Sequence, residues 1–169
     1  MSMPPVAYLL TFSTYGTHLP GSGKGWVDAQ RSVPGSPMLT HNRRREEYWR
    51  SHLKETPFLL DSIAREIALQ VITEVCSHRG WDMHAIHIRT THVHAVLSSN
   101  VAPERMLSDC KAYATRALRS QIDGIQRRRY LAHHGSTRYL WNETSLNAAI
   151  QYVLEEQGEK MAHYPKTDS

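Results

Sequence analysis

The residues with the clearest claim to chemistry in this chain are two histidines one residue apart, His92-Val93-His94, and Tyr113 in the segment that follows. Thr91-His92-Val93-His94-Ala95-Val96-Leu97 alternates as a strand does. His92 and His94 therefore project from one face and Val93, Ala95 and Leu97 from the other. Two imidazoles placed in this way can reach one divalent ion. A chain of 169 residues with 11 histidines holds roughly one such pair by chance, so the pair gains meaning only from its surroundings. The next segment reads as a helix. At about 100° per residue, Met106, Leu107, Cys110, Ala114, Ala117 and Leu118 fill an apolar arc, with Tyr113 at its edge beside Asp109 and Arg116. Tyr113 can rest its ring on a core while its hydroxyl faces a polar strip, which suits a nucleophile with an arginine nearby to hold phosphate. An ordinary boundary tyrosine has the same pattern.

Other polar residues form a second group. Arg116, Arg119, Arg127, Arg128, Arg129 and Arg138 lie close together in sequence, with Lys111 just before them and His133 and His134 among them, opposed only by Asp123. A guanidinium fork pairs bidentately with phosphate oxygens, so the cluster suits a nucleic-acid backbone as well as it suits a solvated surface. His84 and His87 stand at odd separation on their own strand and point to opposite faces. Gly21-Ser-Gly-Lys-Gly looks like a phosphate loop, but its spacing is wrong and no Ser or Thr follows Lys24, so we read no nucleotide site there.

Composition narrows the class further. The chain is 40% hydrophobic and 21% charged with a net charge of +4, as expected of an ordinary globular domain long enough to bury a core. Its two cysteines, Cys76 and Cys110, form no C-x-x-C pair, which excludes a cysteine zinc module. No signal peptide or membrane-length apolar run is visible, so a cytoplasmic protein is expected.

The elements that must position these residues can be read in order. Val6 to Ser13 reads as a strand. Asp61 to His78 reads as a helix capped by Asp61, with Ile63, Ile67, Val71 and Val75 inward and Gly80 as its stop. Trp81 to Arg89 and His92 to Ser99 read as two strands, and Pro103 opens a helix to about Arg119. A short extended piece spans Arg138 to Trp141. A last helix runs from Ser145 to Gln157, with Leu146, Ile150 and Val153 inward and Gly158 after it. The order predicts an α+β fold: a ferredoxin-like βαββαβ sandwich, an antiparallel sheet covered by helices, with an extra C-terminal helix. We expect one domain over residues 1–169 with a long insertion at about 15–57, in which Arg43, Arg44 and Arg45 are further candidates for DNA contact.

With these residues in view the chain resembles the HUH single-tyrosine transposases, above all the REP-associated tyrosine transposases. The resemblance rests on His92-Val93-His94, on Tyr113 within Asp109-Cys-Lys-Ala-Tyr-Ala-Thr-Arg-Ala-Leu, on Tyr8-Leu-Leu-Thr-Phe-Ser-Thr-Tyr-Gly-Thr-His-Leu-Pro-Gly, and on Leu140-Trp-Asn-Glu. It implies a metal-dependent single-strand DNA endonuclease and strand transferase that cuts near hairpins. Tyr113 would be the nucleophile, His92 and His94 would hold Mg²⁺ or Mn²⁺, and the intermediate would be a 5′-phosphotyrosine. The resemblance also implies single-stranded or hairpin DNA as partner, a homodimer, and a place in the cytoplasm near the nucleoid. Lys111, Arg116, Arg119, Arg127, Arg128 and Arg129 would contact the DNA. Related enzymes usually carry a third metal ligand about one turn after the tyrosine. Here that position is Ala117, which cannot ligate, and Asp109 on the same strip is the substitute. A domesticated hairpin-binding protein or repressor that no longer cuts is the alternative. An unrelated phosphoesterase or metal-binding enzyme on a ferredoxin-like sheet is the third reading, since folds host many functions. The two-histidine phosphoesterases among these need an H-x-T or H-x-S pair twice in the chain, which these histidines do not supply.

Overall fold

The computed structural model describes residues 3–23, 39–122, 124 and 126–165. The expectations for Lys24 and most of the insertion's first half lie outside the described residues. In chain order the elements are β1 (Ala7–Thr14), α1 (Arg43–Ser51), α2 (Ser62–Arg79), β2 (Asp82–Ile88), β3 (His92–Ser98), α3 (Pro103–Gln121), β4 (Leu131–Leu140), α4 (Glu143–Glu155) and β5 (Ala162–Tyr164). The strands form one sheet in the order β4-β1-β3-β2-β5, with every neighbouring pair antiparallel. Its first four strands have the ferredoxin-like order, and the fold is the α+β sandwich read from the sequence.

The alternation along β3 divides the core in two. Val93, Ala95 and Leu97 join Leu10 and Phe12 of β1 under α2 and α3, whose buried residues include Ala68, Ile72, Met106, Cys110, Ala114 and Leu118. Val96 points the other way. With Leu9, Ala85 and Leu140 it forms a smaller cluster under Ala149, Val153 and Leu154 of α4. The two helices inside the βαββαβ unit thus share one face of the sheet, and α4 covers part of the other.

Local chemistry explains most boundaries. Asp61 caps α2 by accepting a hydrogen bond from the Ala64 N–H at 2.8 Å, and Gly80 ends it at φ 69°, a left-handed conformation that glycine adopts without penalty. The stripe α2 buries is Ala64, Ala68, Ile72, Val75 and Cys76. That is one residue out of step with the expected stripe, and Ile63 is exposed. Small side chains on this stripe let α2 lie close to the sheet and to α3. β4 is longer than the short piece expected before α4, and it pairs with β1 from Ala7↔Leu140 to Thr14↔Leu131 with a register shift near its start. Neither α1 nor β5 was expected.

Gly135 of β4 shows how tightly α3 sits on this edge. A Cβ there would lie 2.9 Å from both Leu107 Cδ2 and the Thr11 carbonyl oxygen. The leucine tip can turn aside, but the β1 backbone cannot. Gly135→Ala is expected to destabilise the fold by about 1–3 kcal/mol, the usual cost of overpacking, as read from urea denaturation. Unchanged stability would show that β1 and β4 separate freely here.

Candidate active site

His92 and His94 stand on the α4 face of the sheet, as their alternation requires. Their ring centroids are 4.8 Å apart. Thr11, directly across from His94 on β1, places its hydroxyl 2.9 Å from His94 Nδ1. That contact occupies Nδ1, orients the ring and leaves Nε2 for a ligand, as the outer partners of metal-bound histidines commonly do. The helix above the pair is α4. The Tyr152 ring lies 5.4 Å from the His94 ring, and Gln157, just past the helix end, brings its Oε1 to 3.4 Å from His92 Nε2. Tyr152 is 38% exposed, open to a ligand as a nucleophile must be.

His87 on β2 faces the same side, in register with His94. It is fully buried. Its Nε2 accepts the Met161 N–H at 2.9 Å, so its Nδ1 carries the proton and donates to the Val153 carbonyl at 3.0 Å. With both nitrogens engaged His87 is no ligand. It ties the sheet to the helix residue next to Tyr152 and to the chain just beyond Gln157.

Burial governs the charge of this cluster. The His94 pKa is pushed down to about 4, first by burial and then by the nearby His92 and His87. His87 is lowered too, again mainly by burial. His94 is therefore neutral at pH 7, the state in which an imidazole can bind a metal. Stability follows with a definite sign. Between the unfolded histidine pKa near 6.5 and the native value about 4, the unfolded chain binds a proton that the native state does not. Stability is therefore full above pH 6.5 and falls as the pH drops towards 4, by about 3 kcal/mol from His94 alone. Urea midpoints at pH 7 and pH 5 measure this, and His94→Asn is expected to flatten the change. An equally steep fall in that variant would assign it to other groups.

Tyr113 and Asp109 lie elsewhere. α3 covers the Val93, Ala95 and Leu97 face, so both are across the sheet from the histidines. This separation differs from the juxtaposition expected from the sequence. Its cause is physical: the apolar arc of α3 buries itself on the apolar face of β3, and the histidines occupy the opposite one. Tyr113 packs in a crevice with Val71, Val75 and Arg79 of α2, with the Arg116 guanidinium 5.0 Å over its ring. Asp109 pairs with Arg79 at 3.3 Å. Ala117 is a buried residue of α3, and its lack of donor atoms has no bearing on the histidines. Among the described residues no three His, Cys, Asp or Glu side chains gather as a metal site, and the polar group that meets His92 from the helix side is the Gln157 amide. Sequence reading missed Thr11, Tyr152 and Gln157. The available signal was the position of the last helix, the one element left to cover the histidine face.

The basic residues divide in a similar way. Lys111, Arg116 and Arg119 line a cleft of about 540 Å³ between α3 and β4, across the sheet from the histidines. Lys111 donates to the His133 and His134 carbonyls, at 3.0 and 3.2 Å. Arg127 is structural. It donates to the Thr56 carbonyl at 2.6 Å, lies 4.9 Å over Phe58, and its side chain is only 11% exposed. The Arg128 and Arg129 backbone N–H groups both bond the Glu55 carboxylate at 2.8 Å, which lowers the Glu55 pKa, while their side chains are exposed. Among the described residues no helix is long and apolar enough to cross a membrane.

Known proteins share this fold and family. The family model described as "Transposase IS200 like" matches residues 40–155, more than half of the chain, and the chain belongs to that family. The match runs from α1 to the end of α4. It includes the two histidines and Tyr152. Among solved structures, a REP-associated tyrosine transposase bound to a REP hairpin shares the fold, with a TM-score of 0.54 at 10% identity over 92% of this chain and 68% of that one. No curated protein matches by sequence.

Proposed function

We propose that this transposase-family protein is a metal-dependent single-strand DNA endonuclease and strand transferase that cuts beside hairpins, with Tyr152 as nucleophile. One observation carries the reading: Tyr152 and Gln157 meet His92 and His94 on one face of the sheet, and Tyr113 does not. The hairpin in the structural relative supports hairpin DNA as the substrate class.

The residues fit a divalent cation. Two imidazoles and one amide oxygen form a mixed set of intermediate softness that would suit Mn²⁺ better than Mg²⁺. When bound at His92, His94 and Gln157, the ion would polarise the scissile phosphate and offset its developing charge. The Tyr152 oxygen attacks the phosphorus, a 5′-phosphotyrosyl bond forms, and the bond to the 3′-oxygen breaks. The phenolic proton is given up and the departing 3′-oxygen takes one on. A 3′-hydroxyl attacking the same phosphorus reverses the step and joins strands. One ester replaces another, so no nucleotide hydrolysis is needed. His87 holds the helix at Val153, keeping the Tyr152 backbone fixed against the histidines while the DNA enters.

The test is covalent trapping. Labelled hairpin DNA from the gene's own flanks, incubated with the protein and Mn²⁺, is expected to give an adduct that survives denaturation and is lost with chelator. Tight hairpin binding without any adduct, across several flanking sequences, would overturn the nuclease and leave a DNA-binding repressor.

A further inference from the structure

Five polar side chains cross the sheet in one register row on the α4 face: Ser136 of β4, Thr11 of β1, His94 of β3, His87 of β2 and His163 of β5. The half beyond His94 is closed. His87 is fully buried beneath Val153 and Met161, and the adjoining end of the hairpin is tied down by Arg89, which donates to the Glu159 carbonyl. The other half is open. Thr11 is half-buried, Ser136 is exposed, and α4 leaves both uncovered.

One pleat further along β4 is Arg138, paired with Leu9 and so on the same face. It is exposed and, among the described residues, makes no ion pair, hydrogen bond or ring contact. Two strand spacings and one pleat separate its Cα from that of His94 by about 12 Å. Glu104 does not compete for it, because Thr137 reaches that carboxylate at 3.2 Å on the opposite face.

We propose that the open half-row is the track of the single-stranded DNA flank entering the site, with Ser136 as its floor and Arg138 gripping a backbone phosphate. The occupant follows from geometry and charge. A strand at His94 is walled in by α4 and the 156–161 tail, so it leaves over β1 and β4, where an uncommitted guanidinium awaits an anion. This assignment rests on the proposed function for its substrate, yet the two are tested separately.

The experiment is fluorescence anisotropy over a salt titration, with a hairpin carrying a single-stranded flank and the same hairpin without one. Arg138→Ala is expected to weaken binding of the flanked hairpin about 3–10-fold and to lower its salt slope by about 0.7, the contribution of one phosphate contact on a single strand. The flankless hairpin is expected to bind unchanged. Arg138→Lys restores most of the loss, and Ser136→Glu weakens the flanked probe further by repelling phosphate. Equal effects on both probes, or none on either, would overturn the track. Adduct formation in the wild-type protein is scored apart: an adduct with no Arg138 effect sinks the track alone, whereas a flank-specific Arg138 effect without an adduct sinks the nuclease alone.

Discussion

Tyr152→Phe is expected to abolish the covalent adduct and lower cleavage by a factor on the order of 10³ or more, because no neighbouring group replaces a lost nucleophile. Hairpin binding should be unchanged, since the variant keeps the ring and removes one oxygen from an exposed position. Tyr113→Phe is the contrasting variant. The Tyr113 hydroxyl makes no hydrogen bond among the described residues, and its ring packs between α2 and α3 on the far side of the sheet. Its loss should leave the cleavage rate within about twofold and stability within about 0.5 kcal/mol. Measured together by denaturing gel, the two variants decide the assignment in one experiment. An adduct that survives Tyr152→Phe and disappears in Tyr113→Phe would require α3 to leave the apolar face of β3, exposing Met106, Cys110, Ala114 and Leu118. That cost is far larger than any gain at the site.

Much of this frame was legible before the structure. Asp61 and Gly80 bracket α2, Pro103 opens α3, and the alternation through His92 to Leu97 sets both faces of β3. The helix wheel also placed Tyr113 well on its own helix, at the edge of the apolar arc and beside Arg116. What a wheel does not give is the face of the sheet on which the helix lies. That follows from a further step: an arc of Met106, Cys110, Ala114 and Leu118 must bury against Val93, Ala95 and Leu97, so anything on α3 is remote from His92 and His94. Tyr152 lies off the inward stripe of Leu146, Ile150 and Val153, so periodicity marks it only as a surface residue, and Gln157 reads only as the residue before a stopping glycine. α1 buries nothing. It is held by the Asn42 cap and by the exposed pairs Arg43–Glu47 and Arg50–Glu46, each at 2.7 Å, so it has no apolar period to find. β5 is three residues long, and only its pairing with β2 makes it a strand.

The proposed metal ligands should show a graded response that a merely structural cluster would not. His92→Ala removes a half-exposed proposed ligand with little loss of packing, and adduct formation at fixed Mn²⁺ is expected to fall about 10²–10³-fold with hairpin binding intact. Gln157→Ala leaves both imidazoles and should instead raise the Mn²⁺ concentration for half-maximal activity by about 10–100-fold, with the maximal rate partly recovered at saturating metal. Thr11→Val keeps the shape of the strand and removes only the hydroxyl that orients His94. A loss of up to about 10-fold in Mn²⁺ affinity is expected, the low end of the usual range for an outer partner. Isothermal titration with Mn²⁺ in the absence of DNA reads all three without reference to activity. If Gln157→Ala leaves the Mn²⁺ midpoint unchanged and Glu156→Ala shifts it, the oxygen donor is the carboxylate at the α4 C-cap, and the last turn of α4 rotates by one residue when the ion binds. If neither shifts it, the histidines bind with water and phosphate alone, and affinity should then rise steeply once DNA is added. The three results separate because a ligand, a neighbouring donor and an orienting hydroxyl act on the same ion through different bonds.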